Sequence, residues 1–276
     1  MEVLLEPLQY AFMQRSLAVA LLIGILGAMA GSYLMVQRLA LLGDAISHSV
    51  LAGLAAAFAM GLPLAFGAFV AGLLSAASID LIRTRSPLKA DAAMGIVLSA
   101  FFALGVTLIT LIQKQNKIDL NHFLFGNLLA VSPADLRDTA IVAGLVAIAI
   151  VLFHKELQFY CFDRLAAQAA GLPVRWFDLG LTVILAMTIV VAMKAVGVLL
   201  VIAMLITPPA TAYLWVRRFV PMMLLAIAIG SGSSLVGLYL SFFWDLPSGP
   251  AIVLVASVVF VVTLLINPRR NSRKQQ

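Results

Sequence analysis

Apolar runs of close to twenty residues recur along the whole chain, divided by short polar or turn-forming breaks. They lie near 15–36, 44–60, 64–82, 91–112, 136–154, 176–193, 196–216, 221–243 and 249–266. A helix of about 20 residues spans the ~30 Å hydrocarbon core of a bilayer. Backbone groups there must satisfy one another, so each run predicts a transmembrane helix. Punctuation falls between runs at Gly61-Leu-Pro63, Ser86-Pro87, Ser132-Pro133, Gly171-Leu-Pro173 and Leu246-Pro-Ser-Gly-Pro250. Pro208 and Pro209 fall inside a run and are expected to break it, freeing carbonyls that only protein or a wet cavity can cover. Two places soften the count of nine. The stretch 176–216 is divided only by Lys194 and Gly197, and 37–52 also reads as a broken helix. The predicted fold is all-α, a polytopic membrane bundle of about eight to nine helices forming a single domain over 1–276.

Composition sharpens this picture. Apolar residues make up 63% of the chain and charged ones 11%, against roughly 25% charged in a soluble domain, and the mean hydropathy is +1.09. No polar stretch is long enough to fold alone. The net charge of +6 does not indicate a nucleic-acid partner, because the basic residues sit in short loops where they set orientation. In a nine-span layout thirteen Lys and Arg fall on one side: Arg38, Arg83, Arg85, Lys89, Lys155, Arg164, Arg175, Arg217, Arg218 and the tail 267–276 with its four. Five fall on the other: Arg15, Lys114, Lys117, Arg137 and Lys194. The positive-inside rule places the first set, and the C-terminus, in the cytoplasm. The single Cys161 excludes an intrachain disulfide and a multi-cysteine metal site. Met1–Phe12 lacks a basic leader segment and reads as an interfacial helix rather than a cleaved signal.

Small residues in Ser49–Ala57, Gly67–Gly72 and Gly230–Ser234 predict close helix packing. Chemistry is concentrated in Gly43-Asp-Ala-Ile-Ser-His48. Four residues apart on a helix, Asp44 and His48 share a face. An ionisable pair in a membrane span marks a functional site by default, and carboxylate plus imidazole is a usable ligand pair for a divalent transition metal. The bland reading is that Asp44 caps a helix after Gly43 while His48 bonds a neighbour. Two ligands leave a transition-metal site incomplete; a two-fold related copy would supply the rest. The segment Phe162–Pro173 predicts a short self-capped helix, with Asp163 at its start and Gly171 and Pro173 beyond its end. His122 reads as a loop residue, and Lys194 as an interfacial charge that snorkels. P-loop, His-Glu-x-x-His, Gly-x-Ser-x-Gly and Cys-x-x-Cys patterns are absent from the sequence.

The run Gly31–Val50 resembles the signature of the metal-ion ABC importer permeases. Leu124-Phe-Gly-Asn127 with Val131-Ser132, Ala170-Gly-Leu-Pro173 and Ala195–Tyr213 extend the likeness over the whole chain in order. The resemblance implies a type II ABC importer-like permease acting as a homodimer in the bacterial plasma membrane, surrounded by lipid. Its partners would be two cytoplasmic ATP-binding subunits and an extracytoplasmic metal-binding protein or lipoprotein. It implies that Asp44 and His48 hold the ion transiently, with Arg38, Gly43, Pro208 and Pro209 as structural support. It makes the 163–172 helix (Asp163, Ala166, Ala169, Ala170, Gly171, Leu172) the element docking on the ATPase. No cofactor is bound permanently; the ion is cargo. Gly-Asp-Ala-Ile-Ser-His-Ser looks most like the manganese branch, with Zn²⁺ or Fe²⁺ as alternatives. Two competing classes are an ATP-independent carrier and an intramembrane enzyme pairing His154 with Ser231 or Ser233.

Overall fold

A computed structural model describes residues 6–113 and 128–266. The expectations for His122, for Leu124–Asn127 and for the basic tail lie outside those residues. Eleven helices are described: α1 (Ala11–Gln37), α2 (Ala40–Ala59), α3 (Leu64–Arg85), α4 (Ala90–Gln113), α5 (Pro133–Leu152), α6 (His154–Phe162), α7 (Arg164–Ala169), α8 (Val174–Val196), α9 (Val198–Trp215), α10 (Phe219–Trp244) and α11 (Ser248–Ile266). Eight of them are each long and apolar enough to cross a membrane. α5 and α6 form a bent pair that turns by 70° at Phe153 and counts as a ninth crossing if the pair is taken as one span. The protein is a multi-pass, all-α membrane bundle.

α1 forms the spine, enclosed by α10, α9, α5 and α8. It ends where Arg38 adopts a left-handed conformation (φ 58°), with the Leu39 N–H returning to the Leu34 carbonyl. That geometry satisfies the last carbonyls and turns the chain within two residues into α2. α2 then runs unbroken, so the break expected within 37–52 is confined to Arg38 and Leu39. α2 packs against α3 and α4, and α4, the least enclosed of the eight long helices, leaves this flank open.

Gly197 divides α8 from α9 at φ 82°, ψ 167°, a region only glycine occupies readily. The break anticipated at Pro208 and Pro209 does not occur: α9 continues through both. Each proline leaves the carbonyl four residues earlier unbonded, here those of Met204 and Leu205. α1 covers both. A Cβ on Gly27 would stand 3.1 Å from the Met204 oxygen, and one on Gly31 would overlap the Leu205 carbonyl. Glycine at these two positions lets α1 lie directly on the freed groups. The other small-residue stretches behave as expected: Gly53 meets Gly67 backbone to backbone, and Gly230 meets Gly24.

Lys194 lies in the last turn of α8 with its side chain more than half exposed, where an interfacial charge is expected. Its ammonium lies 2.9 Å from Asp135 and 3.4 Å from Asp138, tying the end of α8 to the start of α5. Asp135 also closes a capping box with Ser132, each side chain bonding the other's backbone N–H.

Candidate metal-ion site

Asp44 and His48 lie inside α2, whose N-cap is Leu39, so Asp44 does not cap the helix. Gly43, Ala45, Ile46 and Ser47 face the protein, which turns the pair to the open flank. Asp44 Oδ1 is 3.3 Å from His48 Nε2, and each side chain keeps just under a third of its surface exposed. Two donors bound to one ion at about 2.1 Å lie about 3.0 Å apart at a right angle and about 3.4 Å apart at the tetrahedral angle. The observed separation falls between these values, so one ion can engage both atoms with little rearrangement.

The surroundings hold the imidazole without adding ligands. The edge of His48 meets Phe102 of α4 at 5.4 Å and 87°, an arrangement the apolar pattern of α4 gave no means to foresee. Ser47 and Ser49 donate to the carbonyls of Gly43 and Ala45, so neither hydroxyl turns toward the pair. His48 Nδ1 is buried without a hydrogen-bond partner. Among the described residues no three His, Cys, Asp or Glu side chains gather at one place. Among the described residues one chain offers two ligands at this place.

The pair also lies deeper than the position of the Lys and Arg loops implies. α2 and α3 run antiparallel, with Gly53 against Gly67 and Ile46 3.3 Å from where a Gly72 Cβ would stand. This register sets Asp44 opposite residues 74–75 of α3, about 15 Å from either end of that helix at 1.5 Å per residue. Gly43 contacts Leu205, the eighth residue of the 18-residue α9. α2 therefore begins well inside the bundle, and its first three turns carry the pair at mid-depth.

At the end of the bundle shared with Arg38, the 163–172 segment folds as the sequence predicts. Asp163 caps α7, its carboxylate accepting from the Ala166 N–H at 2.9 Å, and Gly171 (φ 83°) ends the turn before Pro173. Leu165 projects from it and Trp176 from the first turn of α8 beside it, 79% and 74% exposed. His154 does not approach a serine nucleophile: its Nδ1 pairs with the Tyr33 hydroxyl at 3.1 Å, and Ser233 has no hydrogen-bond partner. That geometry offers no support for an intramembrane hydrolase.

The family profile of the ABC 3 transport family matches residues 9–267. The chain belongs to that family. This bears out the resemblance to metal-ion ABC permeases and makes the protein a transport component. A manganese transport system membrane protein of Listeria innocua is 41% identical over 95% of this chain and 93% of its own length. A probable iron transport system membrane protein of Haemophilus influenzae is 42% identical over 95% of this chain and 96% of its own. A solved structure, PsaBC from Streptococcus pneumoniae in complex with Fab, superposes with a TM-score of 0.87 at 38% identity, covering 99% of each chain. That structure shares the helical order of this chain from end to end.

Proposed function

We propose that this chain is the membrane subunit of an ATP-driven importer of divalent transition-metal ions, with Mn²⁺ as its cargo. The observation that carries the reading is the Asp44/His48 pair, 3.3 Å apart at mid-depth on an open flank of a metal-transporter family member. A homodimer packed on the α2 flank would bring two such pairs together and complete a four-ligand O/N set. The flank continues into an apolar groove of about 320 Å³ lined by Ala52, Ala56, Phe66, Leu74, Phe101 and Leu104, a surface that a second copy would cover. Such a ligand set suits Mn²⁺, Fe²⁺ or Zn²⁺ and discriminates weakly among them. The manganese relative and the sequence around Asp44 favour Mn²⁺; the iron relative keeps Fe²⁺ as the second reading.

In this mechanism an extracytoplasmic binding protein releases the ion into a path on the dimer axis. The two Asp44 carboxylates neutralise its charge, and the two His48 rings replace part of its hydration shell. Binding stays weak enough to let the ion leave, as any conducting path requires. The partner ATPases, docked on residues 163–172 in the cytoplasm, close on ATP and move that segment, so the pair opens alternately to either side. The exposed Leu165 and Trp176 support a docking role for this end. The chain itself would hydrolyse no ATP, and its C-terminus would lie in the cytoplasm of a bacterial inner membrane.

The test is the total manganese, iron and zinc of cells lacking this chain, complemented by wild type, Asp44→Ala or His48→Ala at limiting metal. Manganese should fall in the deletion and recover only with wild type. Recovery with either variant refutes the site, and a fall in iron or zinc alone refutes the choice of ion.

A further inference from the structure

We infer that Tyr33 and Gln37 of α1 are positioning residues that carry the displacement of the α6–α7 segment to the Asp44/His48 pair; this rests on the importer reading above. His154 is the first helical residue after the 70° bend between α5 and α6. Its Nδ1 lies 3.1 Å from the hydroxyl of Tyr33, a residue with none of its surface exposed. The two rings clasp the same partner. Phe219 stacks on His154 at 5.8 Å and meets Tyr33 at 4.8 Å. One turn further along α1, Gln37 Nε2 donates to Cys161 Sγ at 3.1 Å, near the other end of α6. α6 is thus pinned to the last turns of α1 at both of its ends.

The opposite side of the segment is held as well. Tyr160 donates to Asp178 of α8 at 2.5 Å, and Arg164 of α7 reaches the same carboxylate at 3.4 Å. A force on α7 therefore moves α6, α8 and the end of α1 together. From α1 the route to the metal pair is short. Leu34, beside Tyr33, lies 3.7 Å from where a Gly43 Cβ would stand, and Gly43 adjoins Asp44. The α1–α2 turn holds only Arg38 and Leu39, too short to absorb a displacement of Gln37.

A hydrogen bond is the fitting tie here because it fixes register, whereas apolar surfaces slide past one another. His154 Nε2 is buried without a partner, so the Tyr33 hydroxyl is the polar contact that orients this ring. Adjacency alone does not establish coupling. The claim is that removing the hydroxyl uncouples the two ends while the helices stay packed.

The experiment uses the whole complex in vesicles: permease, ATP-binding subunits and binding protein loaded with Mn²⁺. Ion influx and ATP hydrolysis are measured on the same preparation for wild type, Tyr33→Phe, Gln37→Leu and His154→Phe. Tyr33→Phe keeps the ring against Phe219 and removes one oxygen. Ions moved per ATP hydrolysed should fall roughly fivefold, the low end of ordinary coupling energies. Combining Tyr33→Phe with His154→Phe should lower the ratio no further than either alone, because the two share one contact. A role in packing alone would lower influx and hydrolysis in proportion and leave the ratio unchanged, which overturns the inference. If His154→Phe fails to assemble, the ratio in Tyr33→Phe decides by itself. A wild-type complex that moves no Mn²⁺, Fe²⁺ or Zn²⁺ refutes the importer reading and the linkage with it. Wild-type transport with an unchanged ratio in Tyr33→Phe refutes the linkage alone.

Discussion

Replacing Gly31 by Ala should be among the most damaging single-methyl additions in this protein. The added Cβ would overlap the Leu205 carbonyl oxygen and stand 2.7 Å from its carbon and 3.0 Å from its Cα. These are backbone atoms, so no side-chain rotation relieves the clash. α1 and α9 must instead separate by about 1 Å, and overpacking of this kind costs about 1–3 kcal/mol. The separation also strips the cover from the Leu205 carbonyl, which Pro209 leaves without its helical N–H and which costs about 1–3 kcal/mol when buried unmet. The two terms overlap, and a net loss of about 3 kcal/mol is expected. The control is Gly144→Ala, where a Cβ meets nothing within 4 Å and better helix propensity should gain about 0.5–1 kcal/mol. Cys161, the chain's single cysteine and half-buried against Gln37, makes the assay simple. A thiol-reactive fluorophore reports its exposure as the detergent-solubilised protein is heated. Gly31→Ala should lower the midpoint on the order of 5–10 °C, and Gly144→Ala should raise it slightly. A wild-type midpoint for Gly31→Ala, or an equal fall in both variants, refutes the account of how the two prolines are accommodated.

Three further outcomes are expected from the same assay. Asp135→Ala removes both the capping box and a Lys194 partner and should cost about 1–2 kcal/mol, whereas Lys194→Met, at a side chain more than half exposed, should cost under about 1 kcal/mol. An equal cost for the two would make the ion pair, not the cap, the important contact. Gly197→Ala forces an L side chain into a backbone region reserved for glycine and should cost about 1–3 kcal/mol; an unchanged midpoint would show that the junction between α8 and α9 relaxes freely. Asp44→Asn should melt within about 0.5 kcal/mol of wild type, since the carboxylate's recorded side-chain contact is His48, yet should lose metal uptake; a large fall in the midpoint would make the pair structural.

What the sequence made legible is what depends on neighbours along the chain. Span positions follow from apolar runs, and the ends of α7 from Asp163, Gly171 and Pro173, all within a dozen residues. The small residues of Ser49–Ala57 and Gly67–Gly72 announced close packing there, and the structure adds that Gly53 meets Gly67. Pro208 and Pro209 were misread because their compensation comes from Gly27 and Gly31, nearly two hundred residues earlier. The partners of Lys194 were not readable, because Asp135 and Asp138 open a different helix. In both cases the deciding contact lies far along the chain.

The depth of Asp44 is the most instructive of these. Counting from Arg38 sets the residue near the cytoplasmic edge, since a basic residue ordinarily marks where a span ends. The left-handed turn at Arg38 removes that inference. It closes α1 with its own backbone hydrogen bonds, so the chain can reverse within the bundle without leaving these polar groups unmet. α2 then starts inside the bundle, and the register of Ile46 against Gly72 carries Asp44 to the middle of α3. Asp44 is thus about equally far from both ends of that helix, the position that the proposed alternating-access site requires.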